Sequence, residues 1–428
     1  MAKTVAFVTL GCKVNQYDSQ AMLEKLMEAG YQPTEDFRGA DVCVINTCTV
    51  TGTGDKKSMQ LIRRCRRENP KAELVIAGCL AQRMGEELLS TGARLVMGNQ
   101  RRGQIAELLA EALREDTRIA AVESVTHIPY EPLSIHSHEG HTRAVMKIQE
   151  GCDRHCTYCI IPSVRGNIRS RLTEDIRAEA ETLAAAGFRE MVLTGIHLTS
   201  YGRDLPERLT LADAIRAADV PGVERIRLGS LEPGIAKDAF IDAIRDCKAL
   251  CPQFHLALQS GSDEILRRMK RGYNTTQFME AVKRLRAVWP LAAFTTDVIV
   301  GFPGETEEHF QETLAFCEAV GFARIHVFPF SPREGTPAQT MPDQIPEKVK
   351  SERVRRLIEL GEALALKYER SLEGQIRPVL IEEETKDGTP AGYIPEYVYV
   401  RVAGAKPGDV IDVRLTNATG QGMTGVPV

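Results

Sequence analysis

A chain of 428 residues, 43% hydrophobic and 26% charged, is long enough for two or three domains and has the composition of an ordinary globular protein. Its net charge of −4 offers no global field for a polyanion, and no apolar run reaches the length of a membrane-spanning helix. Eleven cysteines, behind an N-terminus that turns polar at Gly11-Cys12-Lys13 and so does not read as a signal peptide, point to the cytoplasm and to metal-holding thiols over disulfides.

Residues 3–10 are an apolar run that stops at Gly11-Cys12. Asp18 to Gly30 has helical spacing, with Met22, Leu23, Leu26 and Met27 on one face and Gly30 as the stop. A second apolar run, Asp41 to Ile45, leads into Asn46-Thr47-Cys48. A charged helix is expected from Gly54 to Arg67, and Glu73 to Ile76 leads into Ala77-Gly78-Cys79. Leu95 to Gly98 reads as a further strand. Strands alternating with helices predict a parallel sheet covered on both faces. In such a sheet the carboxyl ends of the strands share one rim, where ligands bind. Cys12, Cys48 and Cys79 each lie just past a strand end, so they are expected to converge as three thiolates for an iron–sulfur cluster. Cys43, inside a strand, and Cys65, inside a helix, read as packing.

From about residue 115 to 141 the periodicity fades, and this stretch reads as a solvated linker. Its His127, His136, His138 and His141 have no metal-binding spacing. Beyond it, strands are expected at Ala144–Gln149, Glu190–Leu193, Arg225–Leu228, Phe254–Leu258, Phe294–Val300 and Arg324–Phe328. Helices such as Thr173–Ala186 and Glu305–Val320 lie between them. Six strand–helix units predict a partial (β/α)6 barrel over 142–370, with its site at the C-terminal rim of the strands. The loop after the first of these strands carries Cys152, Cys156 and Cys159 in C-x3-C-x2-C spacing. Three thiolates on one tight loop suit three corners of a [4Fe–4S] cube and leave one iron open to the amine and carboxylate of a small molecule. Zinc prefers four closed ligands, and His155 is poorly placed to share a metal with its neighbour Cys156.

After a helical stretch from Lys348 to Arg370, short strands at Arg377–Glu382, Glu396–Val402 and Asp409–Leu415 are separated by Gly/Pro turns, which predicts a small β-barrel over 371–428. Tyr393, Tyr397, Tyr399 and Arg401 there suit either RNA stacking or cross-strand packing. Basic clusters at Arg63-Arg64-Cys65-Arg66-Arg67, Arg101-Arg102 and Arg267-Arg268-Met269-Lys270-Arg271 read as solvated faces or as contacts to a phosphate backbone.

The cysteine loop, with Tyr158 and Ile160-Ile161-Pro162-Ser163-Val164-Arg165-Gly166, resembles the signature of the radical S-adenosylmethionine (SAM) superfamily. The segment Thr9-Leu10-Gly11-Cys12-Lys13-Val14-Asn15-Gln16-Tyr17-Asp18-Ser19, with Asn46-Thr47-Cys48 and Gly78-Cys79, resembles the methylthiotransferase family. That family joins residues 1–114 as an auxiliary-cluster domain to a radical SAM barrel, and 371–428 resembles its RNA-binding TRAM module.

The resemblance implies two [4Fe–4S] clusters, on Cys12, Cys48, Cys79 and on Cys152, Cys156, Cys159. It implies SAM contacts from Tyr158, Arg165, Thr194, Gly195, Gln259, Ser260 and Gly301, although the common Gly-Gly-Glu form is absent at Thr194-Gly195-Ile196-His197. Arg165 and Arg171 match a family motif and would bind SAM or substrate, or pair with acids. SAM would serve first as methyl donor to a sulfur at the auxiliary cluster, then as the source of an adenosyl radical at the other. The methylthio group would go to C2 of a modified adenosine beside the tRNA anticodon.

The residues after Cys12 look most like the subgroup acting on N6-threonylcarbamoyladenosine. N6-isopentenyladenosine and a ribosomal-protein aspartate are the other family substrates, and an iron–sulfur RNA-binding sensor is the non-enzyme alternative. The expected partners are tRNA and a flavodoxin- or ferredoxin-like electron donor, with no membrane.

Overall fold

A computed structural model describes residues 2–137 and 142–428; His138 and His141 of the expected linker lie outside the described residues. Strands Thr4–Thr9 (β1), Gln32–Pro33 (β2), Val42–Thr47 (β3), Glu73–Gly78 (β4), Leu95–Met97 (β5) and Ile119–Ala121 (β6) form a six-stranded sheet in the order β2-β1-β3-β4-β5-β6. Every pairing in it is parallel. Because both faces are covered, alternate residues feed two cores. Cys43, Ile45, Leu74 and Ile76 pack on one side, and Val42, Val44 and Val75 on the other.

The stretch 115–137 is not a solvated connector. Ile119–Ala121 closes the edge of the sheet, and Leu133 and Ile135 are buried in the core of the next domain. The Tyr17 hydroxyl donates to the carbonyl of Leu133, and His136 pairs with Glu24. A segment that must seal two domains needs no internal periodicity, so the pattern could not announce it.

The central domain begins with Arg143–Lys147 (β7), followed by the short antiparallel pair Gln149–Glu150 (β8) and Arg169–Ser170 (β9). Glu190–Thr194 (β10), Arg225–Leu228 (β11), Gln253–His255 (β12), Ala293–Val300 (β13) and Arg324–Pro329 (β14) follow. Two three-stranded parallel sheets, β7-β10-β11 and β12-β13-β14, meet through the parallel bridges Ile226↔Leu250 and Leu231↔Leu256. The result is an open partial barrel of six parallel strands. Phe254, Phe294 and Val298 turn outward into the helix-packed core, so their alternates His255, Thr295 and Asp297 face the lumen.

A 25-residue helix, Glu347–Ser371, leads to the last domain. Strands Ile376–Glu384 (β15), Pro390–Tyr393 (β16), Tyr399–Val402 (β17), Val410–Thr416 (β18) and Met423–Pro427 (β19) close a barrel in the order β15-β16-β17-β19-β18. Tyr393 and Tyr397 do not stand free for RNA. Their rings stack 4.6 Å apart, and Arg227 lies 4.5 Å over Tyr397 from inside the larger barrel. Arg227 also donates to the carbonyl of Pro395, and Arg225 to those of Tyr393 and Pro378. The small barrel therefore plugs the N-terminal end of the larger one.

Candidate functional site

The parallel register Thr9↔Asn46 and Thr47↔Gly78 brings the ends of β1, β3 and β4 to one rim. Cys12 caps the helix Lys13–Glu28, Cys48 follows β3, and Cys79 opens the helix Cys79–Met84. Asn15 ties the loops together by donating to the carbonyls of Leu10 (2.7 Å) and Thr47 (3.0 Å). Gly11 is required on steric grounds: at φ +106° a Cβ would lie 3.0 Å from that of Cys48. Cys12 is exposed, Cys48 half-buried and Cys79 buried. Burial pushes the Cys48 thiol up, opposed by the Val50 N–H.

Arg165 is fully buried beside this trio. Its Nε donates to Cys79 Sγ at 3.2 Å and its Nη1 to Glu150 at 2.6 Å. Around it lies a charge network assembled from both domains. Arg102 binds Asp18 at 2.6 Å and Glu150 at 2.9 Å, and Lys147 binds the same two acids. Burial opposes ionisation of Glu150, but Arg102, Lys147 and Arg165 hold its pKa well below the usual range.

The second trio sits on the loop after β8. Thr157 donates from its N–H to the carbonyl of Met269 and from its hydroxyl to that of Arg268, and Ala338 N–H donates back to its carbonyl. Each sulfur has a donor within reach: Arg154 N–H for Cys152 (3.4 Å), Ile161 N–H for Cys159 (3.5 Å) and Arg271 Nη1 for Cys156 (3.2 Å). Burial raises the Cys152 thiol to about 11 and the Cys159 thiol to about 12, values that bound metal would reverse. The two trios are neighbours: Cys79 packs against Ile160 and Val164, and the helix Ile161–Arg165 runs from one to the other.

A cavity of about 150 Å³ opens beside Cys152, Cys156 and Cys159, lined also by Tyr158, His197, Glu232, Gln259 and Arg271. Glu232 binds Arg154 at 2.7 Å, Arg271 at 3.0 Å and His197 at 3.3 Å. Burial alone would raise its pKa, but the neighbouring His197 and the Arg271 charge hold it down at about 2. Gln259 has φ +68°, a left-handed conformation that a non-glycine residue keeps only when its surroundings impose it.

Of the expected SAM contacts, Tyr158 and Gln259 line this cavity. Thr194, Gly195, Ser260 and Gly301 are not among its lining residues. The Thr194 carbonyl accepts from Ile148, Gly195 packs on Gln149, Ser260 meets Thr313, and Gly301 N–H donates to Glu305. Arg165 faces the other trio, and Arg171 pairs with Glu179. The basic clusters are mostly spoken for: Arg102 and Arg271 are buried in ion pairs, and Arg267 and Arg268 share Glu264. Glu232, directly after β11, carried no motif, so only its position at the rim could have marked it.

Among the described residues, the one group of three potential ligands with all donor atoms within 4.8 Å is His255, Asp297 and His326, in the lumen. The cysteine sulfurs of each trio are therefore spread wider than the edge of about 3.8 Å that one tetrahedral zinc with 2.3 Å bonds would require. Three thiols so spaced, with N–H donors on the sulfurs, fit a polynuclear iron–sulfur group.

Comparison with known proteins agrees in outline. Residues 4–98 match the uncharacterized protein family UPF0004, 146–317 the radical SAM superfamily and 370–428 the TRAM domain. A Bacillus subtilis (strain 168) protein named threonylcarbamoyladenosine tRNA methylthiotransferase MtaB is 41% identical over 97% of this chain and 94% of its own length. The protein of the same name from Thermotoga maritima is 37% identical over 98% and 96%. A Clostridium botulinum tRNA-2-methylthio-N(6)-dimethylallyladenosine synthase is 34% identical over 97% and 95%. Among solved structures, the radical SAM methyltransferase TsrM from Kitasatospora setae superposes with a TM-score of 0.57 at 16% identity, over 79% of this chain and 77% of that one. The radical SAM enzyme OxsB gives 0.52 at 13%, over 85% and 56%.

Proposed function

Because this chain belongs to the radical SAM methylthiotransferase family, with its SAM and [4Fe–4S] requirement, we propose that it adds a methylthio group to C2 of N6-threonylcarbamoyladenosine beside the anticodon of tRNA. The observation that most supports the reaction is that the two cysteine trios are neighbours, with the helix that follows Cys159, Ile161–Arg165, packed along Cys79. The substrate reading follows the relatives named for threonylcarbamoyladenosine, at 37–41% identity over 97–99% of the chain.

In this reading Cys152, Cys156 and Cys159 hold one [4Fe–4S] cluster, and Cys12, Cys48 and Cys79 hold a second. Bound clusters and SAM supply the one-electron chemistry and the sulfur that an aromatic C–H, beyond the reach of side-chain acids and bases, demands. The chain's own groups bind and orient. Arg271 and the Arg154 and Ile161 amides offset the charge of one trio's thiolates, and Arg165 does so at Cys79. Glu232, bound to Arg154 and Arg271 and beside His197, holds those side chains in place at the wall of the cavity where SAM would bind. Tyr158 and Gln259 wall the same cavity. An electron donor of flavodoxin or ferredoxin type completes the system, in the cytoplasm.

The deciding experiment is anaerobic. Reconstituted enzyme is given SAM, reductant and tRNA bearing threonylcarbamoyladenosine, and the digested nucleosides are weighed. A methylthio mass gain on that nucleoside is expected. If it is absent while 5′-deoxyadenosine forms, the substrate is wrong and isopentenyladenosine tRNA is next. Alanine at Cys12, Cys48 and Cys79 together is expected to remove about half the iron; unchanged iron would rule out the second cluster.

A further inference from the structure

The lumen of the partial barrel contains charged groups that neither cluster nor the SAM cavity employs. Lys13, one residue after Cys12 and the first residue of its helix, comes from the N-terminal domain to lie among the charged groups of this lumen. Among the described residues its ammonium has no hydrogen-bond or ion-pair partner. Its electrostatic neighbours come from several walls: Arg143, Glu190 and Arg227 on β7, β10 and β11, Tyr397 of the plug, and His326 on β14. Glu190 cannot serve as its counter-ion, because Arg227 at 2.8 Å, Arg225 at 3.6 Å and Arg143 at 3.8 Å already surround it. A cation so placed, with the local acid taken, is a site for an incoming anion.

The wall facing it is polar. Asp297 lies directly opposite His326 across β13 and β14, and His255 Nε2 is 3.4 Å from Asp297 Oδ2. His255 and His326 rings lie 6.1 Å apart. These are the residues whose donor atoms fall within 4.8 Å of one another, but Lys13 and Arg324 beside His326 oppose a further cation there. On a purine, C2 and C6 flank N1, so a base presenting C2 to the rim directs its N6 substituent away from it. The lumen lies on that side, directly below the rim.

Resting on the substrate reading above, we propose that this lumen reads the N6 substituent of the adenosine. Lys13 pairs with its carboxylate, and Asp297, steadied by His255, accepts from its hydroxyl and ureido N–H groups. An isopentenyl group carries neither the charge nor the donors, so it leaves Lys13 unpaired and is disfavoured.

The test compares two anticodon stem-loop RNAs, one with N6-threonylcarbamoyladenosine and one with its neutral methyl ester. Equilibrium binding to reconstituted enzyme is measured without reductant, then turnover with it. Wild type is expected to favour the acid over the ester by about thirty-fold or more. Lys13→Gln is expected to bind both as wild type binds the ester, and Lys13→Arg to restore part of the preference. The ratio is taken within each variant, so a general loss of affinity or of iron does not imitate the effect. If Lys13→Gln keeps the preference, or wild type shows none, this inference falls while the substrate reading stands. If wild type fails to methylthiolate the threonylcarbamoyl RNA, both fall.

Discussion

A guanidinium with no route to water lies where the two domains meet. Arg165 donates to Cys79 Sγ, Glu150 and Asn15, and lies 3.4 Å from Asp18. Replacing it removes a counter-charge from two buried acids and a donor from a thiol. Arg165→Met is therefore expected to destabilise the metal-free protein by about 3–5 kcal/mol, read as a lower urea midpoint. Arg165→Lys should recover only part, because a point-charge ammonium cannot hold three partners in a fixed fork. A midpoint unchanged within about 1 kcal/mol would show that Arg102 and Lys147 suffice for Asp18 and Glu150. The same residue shows how far a motif reaches: its place beside the cysteine loop was legible in sequence, but the direction of its side chain was not.

At the scale of elements, the auxiliary trio depends on how three strands end. β4 finishes at Gly78 with φ +92°, where a Cβ would meet Asn46 Oδ1 at 2.3 Å and the Thr47 carbonyl at 2.6 Å. Backbone lies on that side, so no side chain can swing away. Gly78→Ala is expected to displace Cys79 and to lower reconstituted iron by about half, while absorption from the other cluster persists. Full iron in the variant would mean that the rim tolerates the shift. The opposing loop has its own such glycine, Gly151 at φ +72°, where a Cβ would run into the Asn167 carbonyl, and Met269, Arg268 and Ala338 clamp the loop further along.

For the whole molecule, the plug of the small barrel is the feature with the largest consequence. Arg227 is almost fully buried, bound to Glu190 and to the carbonyls of Ile394 and Pro395. Arg227→Ala leaves Glu190 short of its nearest partner and loosens the Tyr393–Tyr397 loop. It is expected to cost about 3–5 kcal/mol and to expose the end of the helix Glu347–Ser371, read as faster proteolytic release of the 371–428 barrel. Release at the wild-type rate would show that the remaining contacts carry the docking. On the opposite side, Arg333 reaches from the segment after β14 to Thr49 and Asp55 beside Cys48, and so links the N-terminal domain to the last barrel strand.

The sequence by itself determined the main strands of the first two domains, their parallel sense and the six cysteines at strand ends, because these follow from short-range periodicity and from the one rim that parallel strands share, whereas the short edge strands β2 and β6 and the barrel strands β16 and β19 carry too little pattern to be expected. Register then makes cysteines far apart in the chain converge without further information. The tertiary structure alone decided the pairing of charges. Asn15 meets Arg165 across 150 positions and Arg102 meets Asp18 across 84. One arginine looks like another in sequence, so a buried network reads as a basic cluster until folding selects its partners. The same holds for Glu232 and for Lys13 in the lumen: their roles are set by which acids and cations are already taken, and that is known only when every neighbour is in place.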